Sequence, residues 1–200
     1  MLNVKKRTTY ITKVGILSAL SFLIMFALEF PIPFMPPFLK IDFSEIPAML
    51  AAFALGPIAA VIVELIKNLI HLTISSTTGI GELSNFLVGI AYLVPAGVIY
   101  KRIKSKKGAV ISLIVGSISM AFFAAVLNYL LFIPLYGIVL NFPVNAVVGM
   151  GTEVNSLIVD LKTLIVFGIV PFNLIKSIII SALVLIMYKR LSPILHYQRK

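Results

Sequence analysis

The sequence predicts an all-α fold: a polytopic membrane protein with six transmembrane helices, forming a single transmembrane domain over residues 1–200. Three observations carry that prediction. Sixty per cent of the residues are hydrophobic and only 12% charged, at a mean hydropathy of +1.09, whereas a soluble domain carries about a quarter charged residues. The apolar runs are about 20 residues long, the length that crosses a hydrocarbon core as helix. They lack the ten-residue polar–apolar alternation of barrel strands, and in lipid only helices and closed barrels satisfy their own backbone.

The first helix is expected over about 11–29. Lys5, Lys6 and Arg7 followed by an apolar run resemble a signal peptide, but the run Ile11 to Phe30 is long and meets Pro31–Pro37 rather than a small-residue cleavage site. A retained span is expected. The prolines end it, since proline lacks the amide donor and clashes with the preceding turn. A loop with Lys40 and Asp42 follows, then a short second helix over about 44–55, with Ser44 as its cap and Glu45 in its first turn. Gly56-Pro57 breaks the chain before a third helix over 58–73. The polar stretch Ser75 to Gly81 leads to the fourth, 82–100, and the basic run Lys101 to Lys107 to the fifth, 108–133. Pro134 to Asp160 reads as a long outer connection. The sixth covers 164–188, with Pro171 predicting a kink. The second helix is too short to span upright at ~1.5 Å per residue and needs shelter from its neighbours.

The basic residues orient this topology. Lys5, Lys6, Arg7 and Lys13 flank the first helix, five more lie in 101–107, and Lys189, Arg190, Arg199 and Lys200 follow the sixth, so 13 of 17 fall on one side. The opposite loops carry Asp42, Glu45, Glu82, Glu153 and Asp160. The positive-inside rule therefore predicts a multi-pass protein of the cell membrane with both termini cytoplasmic. The net charge of +10 is accounted for in this way, meeting the lipid bilayer rather than nucleic acid. The chain has no Cys, and His71 and His196 offer no ligand spacing, so thiol chemistry is excluded and no metal site is expected.

Polar groups inside apolar helices are the candidate functional residues, because each costs about 2.5–3.5 kcal/mol to insert and must face the bundle interior. On the third helix Glu64, Lys67, Asn68 and His71 share one face. Three readings stand: an ion pair that locks packing, the polar wall of a ligand cavity, or a proton relay through Glu64 and His71. Asn128 lies on the fifth helix, and Asn173 and Lys176 one turn apart on the sixth. Lys176 is too far from either interface to reach water, so it needs an acceptor, in the protein or on a ligand. Gly81, Glu82 and Asn85, at the start of the fourth helix, offer a close backbone approach and exposed amides. Gly15 and Ala19 form a small-x-x-x-small pair that suits close helix contact, within the protein or against another subunit.

Taken together, Leu39-Lys-Ile-Asp-Phe-Ser-Glu-Ile-Pro47, Ala54-Leu-Gly-Pro57, Glu64-Leu-Ile-Lys-Asn68 and Gly81-Glu-Leu-Ser-Asn-Phe-Leu-Val-Gly89 resemble the riboflavin-specific S-component of energy-coupling factor (ECF) vitamin transporters. The likeness runs over nearly the whole chain. It implies a six-helix S-component-like bundle that captures riboflavin at the extracellular face. Release to the cytoplasm would follow docking with a transmembrane coupling subunit and two cytoplasmic ATPases. The resemblance implies that Asn128, Asn173 and Lys176 hold the polar edge of the flavin ring. Lys40 joins Gly81, Glu82 and Asn85 as a further candidate substrate contact. The family's Ala-x-x-x-Ala docking motif corresponds to Gly15 and Ala19, with glycine in the first place. Riboflavin enters as transported ligand, with no catalytic cofactor.

The chemistry of the residues agrees with this expectation. A pyrimidinedione edge offers carbonyl acceptors and an imide donor, which amides read in both directions and an ammonium reads as donor. An intramembrane enzyme built on Glu64 and His71 is the first competing reading, but no nucleophile–base pair or catalytic residue set accompanies them. The others are an S-component for another vitamin and a membrane scaffold without a ligand. The chain has no Gly-rich phosphate loop ending in Lys-Ser/Thr, so ATP would be hydrolysed by separate chains.

Overall fold

The computed structural model describes residues 2–196, with side chains at 4 and 6–188. Arg199 and Lys200 of the charge map lie outside the described residues, as do the side chains of Lys5, Lys189 and Arg190. The chain runs α1 (Leu2–Ala27), a two-residue hairpin pairing β1 (Phe30–Pro31) with β2 (Lys40–Ile41), α2 (Glu45–Leu55), α3 (Pro57–His71) and α4 (Ile80–Arg102). It continues through α5 (Lys106–Leu127), a π turn (Asn128–Phe132), α6 (Ile133–Val139), α7 (Val144–Val154), α8 (Leu161–Leu164), a second π turn (Ile165–Ile169) and α9 (Val170–His196).

Five of these segments are long and apolar enough to cross a membrane: Lys6–Ala27, Pro57–Ile74, Ile80–Arg102, Lys106–Val139 and Leu161–Tyr188. Their outward faces carry Ile16, Phe26, Ile118, Phe122, Ile178 and Ile186, each about three-fifths exposed. Such a girdle is stable only against lipid. The second of the six expected helices, α2, is sheltered rather than spanning. Eleven residues rise only ~16 Å, and nine of them are buried between α1, α3, α4 and α9.

The elements depart from expectation where local chemistry differs from composition. The stretch Pro134 to Asp160 is no open connection: α5 continues through its π turn to Val139, and α7 packs Val147, Val148 and Gly151 inward. Ser44 does not cap α2; its hydroxyl donates to Asp42 and accepts from Lys67 instead. The break before α3 is as expected, with Gly56 at φ +102, a conformation natural to glycine. Pro171 is the second residue of α9, just past the second π turn, a position where a missing amide donor is tolerated.

The helices pack in the order α1–α3–α4–α5–α9, with α2 against α1, α3, α4 and α9. At the end where α4 meets α5, the rings of Phe53 and Tyr100 stack 4.2 Å apart and the Tyr100 hydroxyl donates to Tyr188 at 2.7 Å. The opposite end, where α1 gives way to the hairpin and α3 to α4, opens into a cavity.

Candidate functional site

The cavity measures about 470 Å³, within the range of small-molecule sites. It is lined by the hairpin and the starts of α2 and α4 on one side, and by the π turn after α5, α7 and α9 on the other. All seven residues singled out as substrate contacts line it: Lys40, Gly81, Glu82, Asn85, Asn128, Asn173 and Lys176. The apolar part of the wall includes Met120, Ile133, Phe142, Val147 and Phe172.

Lys176 is 5% exposed and finds its acceptors in Asp42 at 2.8 Å and Glu45 at 2.9 Å. These two acids were not among the candidate contacts: Asp42 was read as loop charge, and Glu45 as loop charge and a first-turn residue of the second helix. The signal was present: a lysine buried in hydrocarbon demands a carboxylate, and Leu39-Lys-Ile-Asp-Phe-Ser-Glu supplies two. Burial by itself would raise the Asp42 carboxyl. The charges of Lys176 and Lys67, with hydrogen bonds from Lys176 and Ser44, overcome it and hold Asp42 far below the usual carboxylate range. Glu45 is held by charge more than by hydrogen bonding, since neither of its oxygens has a hydrogen-bond partner of good geometry.

The amides are partly committed. Asn128 donates to the carbonyl of Ala124 at 2.9 Å and Asn173 to that of Ile169 at 2.8 Å. Each keeps a carbonyl oxygen and a second N–H. Asn85 reaches Asp42 at 3.5 Å through its nitrogen, while its oxygen, buried at the cavity wall, has no partner. An orphaned acceptor in the same cavity lining as a buried ammonium is an arrangement that a ligand with its own donors and acceptors completes.

The cavity mouth is a knot of charges. Glu82 accepts from Ser75 at 2.8 Å and lies 2.8 Å from His71, and Lys40 sits 3.5 Å from Glu29. Gly81 spends its amide on the Thr77 hydroxyl at 3.0 Å, so this backbone donor is occupied by the loop itself.

The third-helix face divides. His71 reaches the cavity, whereas Glu64, Lys67 and Asn68 lie behind the wall, with Lys67 2.8 Å from Glu64 and 3.6 Å from Glu45. Glu64 pairs with Lys67, as in the ion-pair reading, and His71 pairs with Glu82 rather than with Glu64. Gly15 and Ala19 are exposed on α1, and a Cβ on Gly15 would meet nothing within 4 Å. No group of metal ligands occurs among the described residues.

An apolar-faced helical bundle with a cavity of mixed polar and apolar lining at one end defines a class: a membrane protein with a site for a small ligand. The family model for the substrate-specific component of ECF transporters matches residues 9–188, and the chain belongs to that family. It is 39% identical over 194 residues to the riboflavin transporter RibU of Staphylococcus aureus, covering 97% of this chain and 95% of that one. It is 35% identical over 189 residues to the riboflavin transporter FmnP of Bacillus subtilis, covering 93% of each. A solved structure of the S component of a bacterial ECF transporter superposes with a TM-score of 0.77 at 36% identity, covering 95% of this chain and 99% of that one. These relatives are named as transport proteins.

Proposed function

We propose that this chain is the riboflavin-capturing subunit of an ECF transporter. The carrying observation is the cavity that gathers Asn128, Asn173 and Lys176 with an unpartnered acceptor on Asn85. Lys176 has three N–H donors: Asp42 accepts one, and Glu45, 2.9 Å away, holds the ammonium from a second side by charge. The third is directed to a flavin carbonyl, and the Asn128 and Asn173 amides read the rest of the pyrimidinedione edge. The apolar wall from Met120 to Phe172 takes the ring system, and the polar mouth, with Lys40, Glu82 and Asn85, takes the ribityl hydroxyls.

The cavity mouth faces outward, and both termini, with the basic run 101–107, face the cytoplasm. Gly15 and Ala19 on the exposed face of α1 receive the coupling subunit, whose two ATPases drive release; their lack of internal neighbours supports this reading. The names of the relatives support riboflavin as the ligand. The test is to purify the protein in detergent and record its absorbance and thermal midpoint with riboflavin, thiamine and biotin. A co-purifying flavin spectrum, or a midpoint raised by riboflavin alone, supports the assignment. A midpoint unmoved by riboflavin, or raised only by another vitamin, overturns it.

A further inference from the structure

From the cavity lining to behind its wall runs a row of five buried groups of alternating charge, of which Asp42, Glu45 and Lys176 line the cavity and Lys67 and Glu64 do not. Glu64 is 2.8 Å from Lys67, Lys67 is 3.6 Å from Glu45, Glu45 is 2.9 Å from Lys176, and Lys176 is 2.8 Å from Asp42. None is more than 5% exposed. Three carboxylates face two ammoniums, so the row carries an excess negative charge in a low-dielectric interior, where an uncompensated charge is costly. The two ends differ. Asp42 lines the cavity and is supplied with donors by Lys176, Ser44 and Asn85. Glu64 lies outside the lining, and its Oε2 has no partner. Room for it is built into the fold, for a Cβ on cavity-lining Gly89 would stand 2.6 Å from Glu64 Oε1.

We infer that Glu64 is a proton-binding site whose occupancy is coupled to the ligand cavity, so that riboflavin binding is accompanied by proton uptake from solution onto the Glu64 carboxylate. This rests on the proposed function. A ligand carbonyl that draws the Lys176 ammonium weakens its hold on Glu45. Lys67, placed between two acids, then moves toward Glu45 and leaves Glu64 without its counter-ion, and an uncompensated buried carboxylate takes a proton. Among the described residues, Lys67 is the one cation paired with Glu64. On α3, Asn68 donates to the Glu64 carbonyl and lies 3.2 Å from its Oε1, while His71 pairs with Glu82. Next to α2, Asp42 and Ser44 engage the lysines. From α4 come Asn85 and Tyr92, the latter paired with Ser181, and from α1 Ser21, which donates to the Ser44 carbonyl.

The test is calorimetric titration of riboflavin into the detergent-purified full chain, between pH 6 and 8, in buffers of different ionisation enthalpy. Wild type is expected to take up as much as one proton per riboflavin, its affinity falling up to about tenfold per unit rise in pH within that window. Glu64→Gln is expected to bind riboflavin with no proton uptake and a flat pH dependence. Buffer-independent enthalpies in wild type across the range overturn the inference, as does undiminished uptake in Glu64→Gln. If that variant does not fold, infrared difference spectra of wild type decide: riboflavin should bring in the carbonyl stretch of a protonated carboxylic acid, and its absence overturns the inference. Absence of riboflavin binding altogether would instead break the functional assignment.

Discussion

The two ends of the bundle are held together by different forces. At the cavity end, α2, α3, α9 and the segment before α2 meet through Asp42, Glu45, Glu64, Lys67 and Lys176. At the other end the helices meet through buried small residues such as Ala52, Ala60, Ala96 and Ala109 and the rings of Phe53, Tyr100 and Tyr188. Close contact of small residues leaves no space and permits no alternative partner. Ion pairs hold helices apart across a cavity and can exchange a protein partner for a ligand. One end is close-packed and the other holds the cavity.

The largest expected effect comes from breaking the charged end. Lys176→Met leaves Asp42 and Glu45 buried without their main counter-ion, costing on the order of 3–5 kcal/mol of stability. It is also expected to weaken riboflavin binding about 100-fold by loss of a charged hydrogen bond; thermal unfolding and fluorescence titration read the two effects. Next comes the packed end. A Cβ on Gly116 would lie 2.8 Å from the Tyr92 carbonyl oxygen, which is backbone and cannot step aside. Gly116→Val should therefore cost about 1–3 kcal/mol of thermal stability, while the folded fraction binds riboflavin as wild type does. That split, affinity lost at one end and stability alone at the other, is what the comparison requires.

Smaller effects sharpen it. Asn173→Ala removes one neutral amide and should weaken riboflavin about tenfold with little change in thermal midpoint. Gly15→Leu, on an exposed face with open space around it, should leave stability and binding of the isolated chain unchanged. Riboflavin uptake by cells carrying that variant together with the coupling subunit and ATPases should fail, because a large side chain blocks close helix contact.

Much of this was legible in the sequence, for reasons that differ from residue to residue. The membrane helices follow from run length and composition, and Gly56-Pro57 announces its own break. Asn128, Asn173 and Lys176 stood out because hydrocarbon rejects them unless something answers. What answers Lys176 was not legible from helix patterning. Asp42 and Glu45 lie more than 130 residues away in sequence, and only the fold brings them to it. Helix α7 was hidden because Pro143 and Asn155 at its ends, and glycines within, make its composition that of a loop. The π turn beginning at Asn128 was equally hidden, since no residue type marks it, yet it sets where that amide sits on the cavity wall. Glu64 and His71 share a helix face, but periodicity cannot tell that one looks behind the wall and the other into the cavity.

In the proposed function a buried ammonium, held between two acids, anchors the flavin. An equilibrium titration of riboflavin into detergent-purified wild type, Lys176→Met and Gly116→Val, followed by quenching of flavin fluorescence, tests it most directly. Saturable one-to-one binding in wild type and in folded Gly116→Val, with loss in folded Lys176→Met, is the predicted result. Equal binding by wild type and Lys176→Met would contradict it.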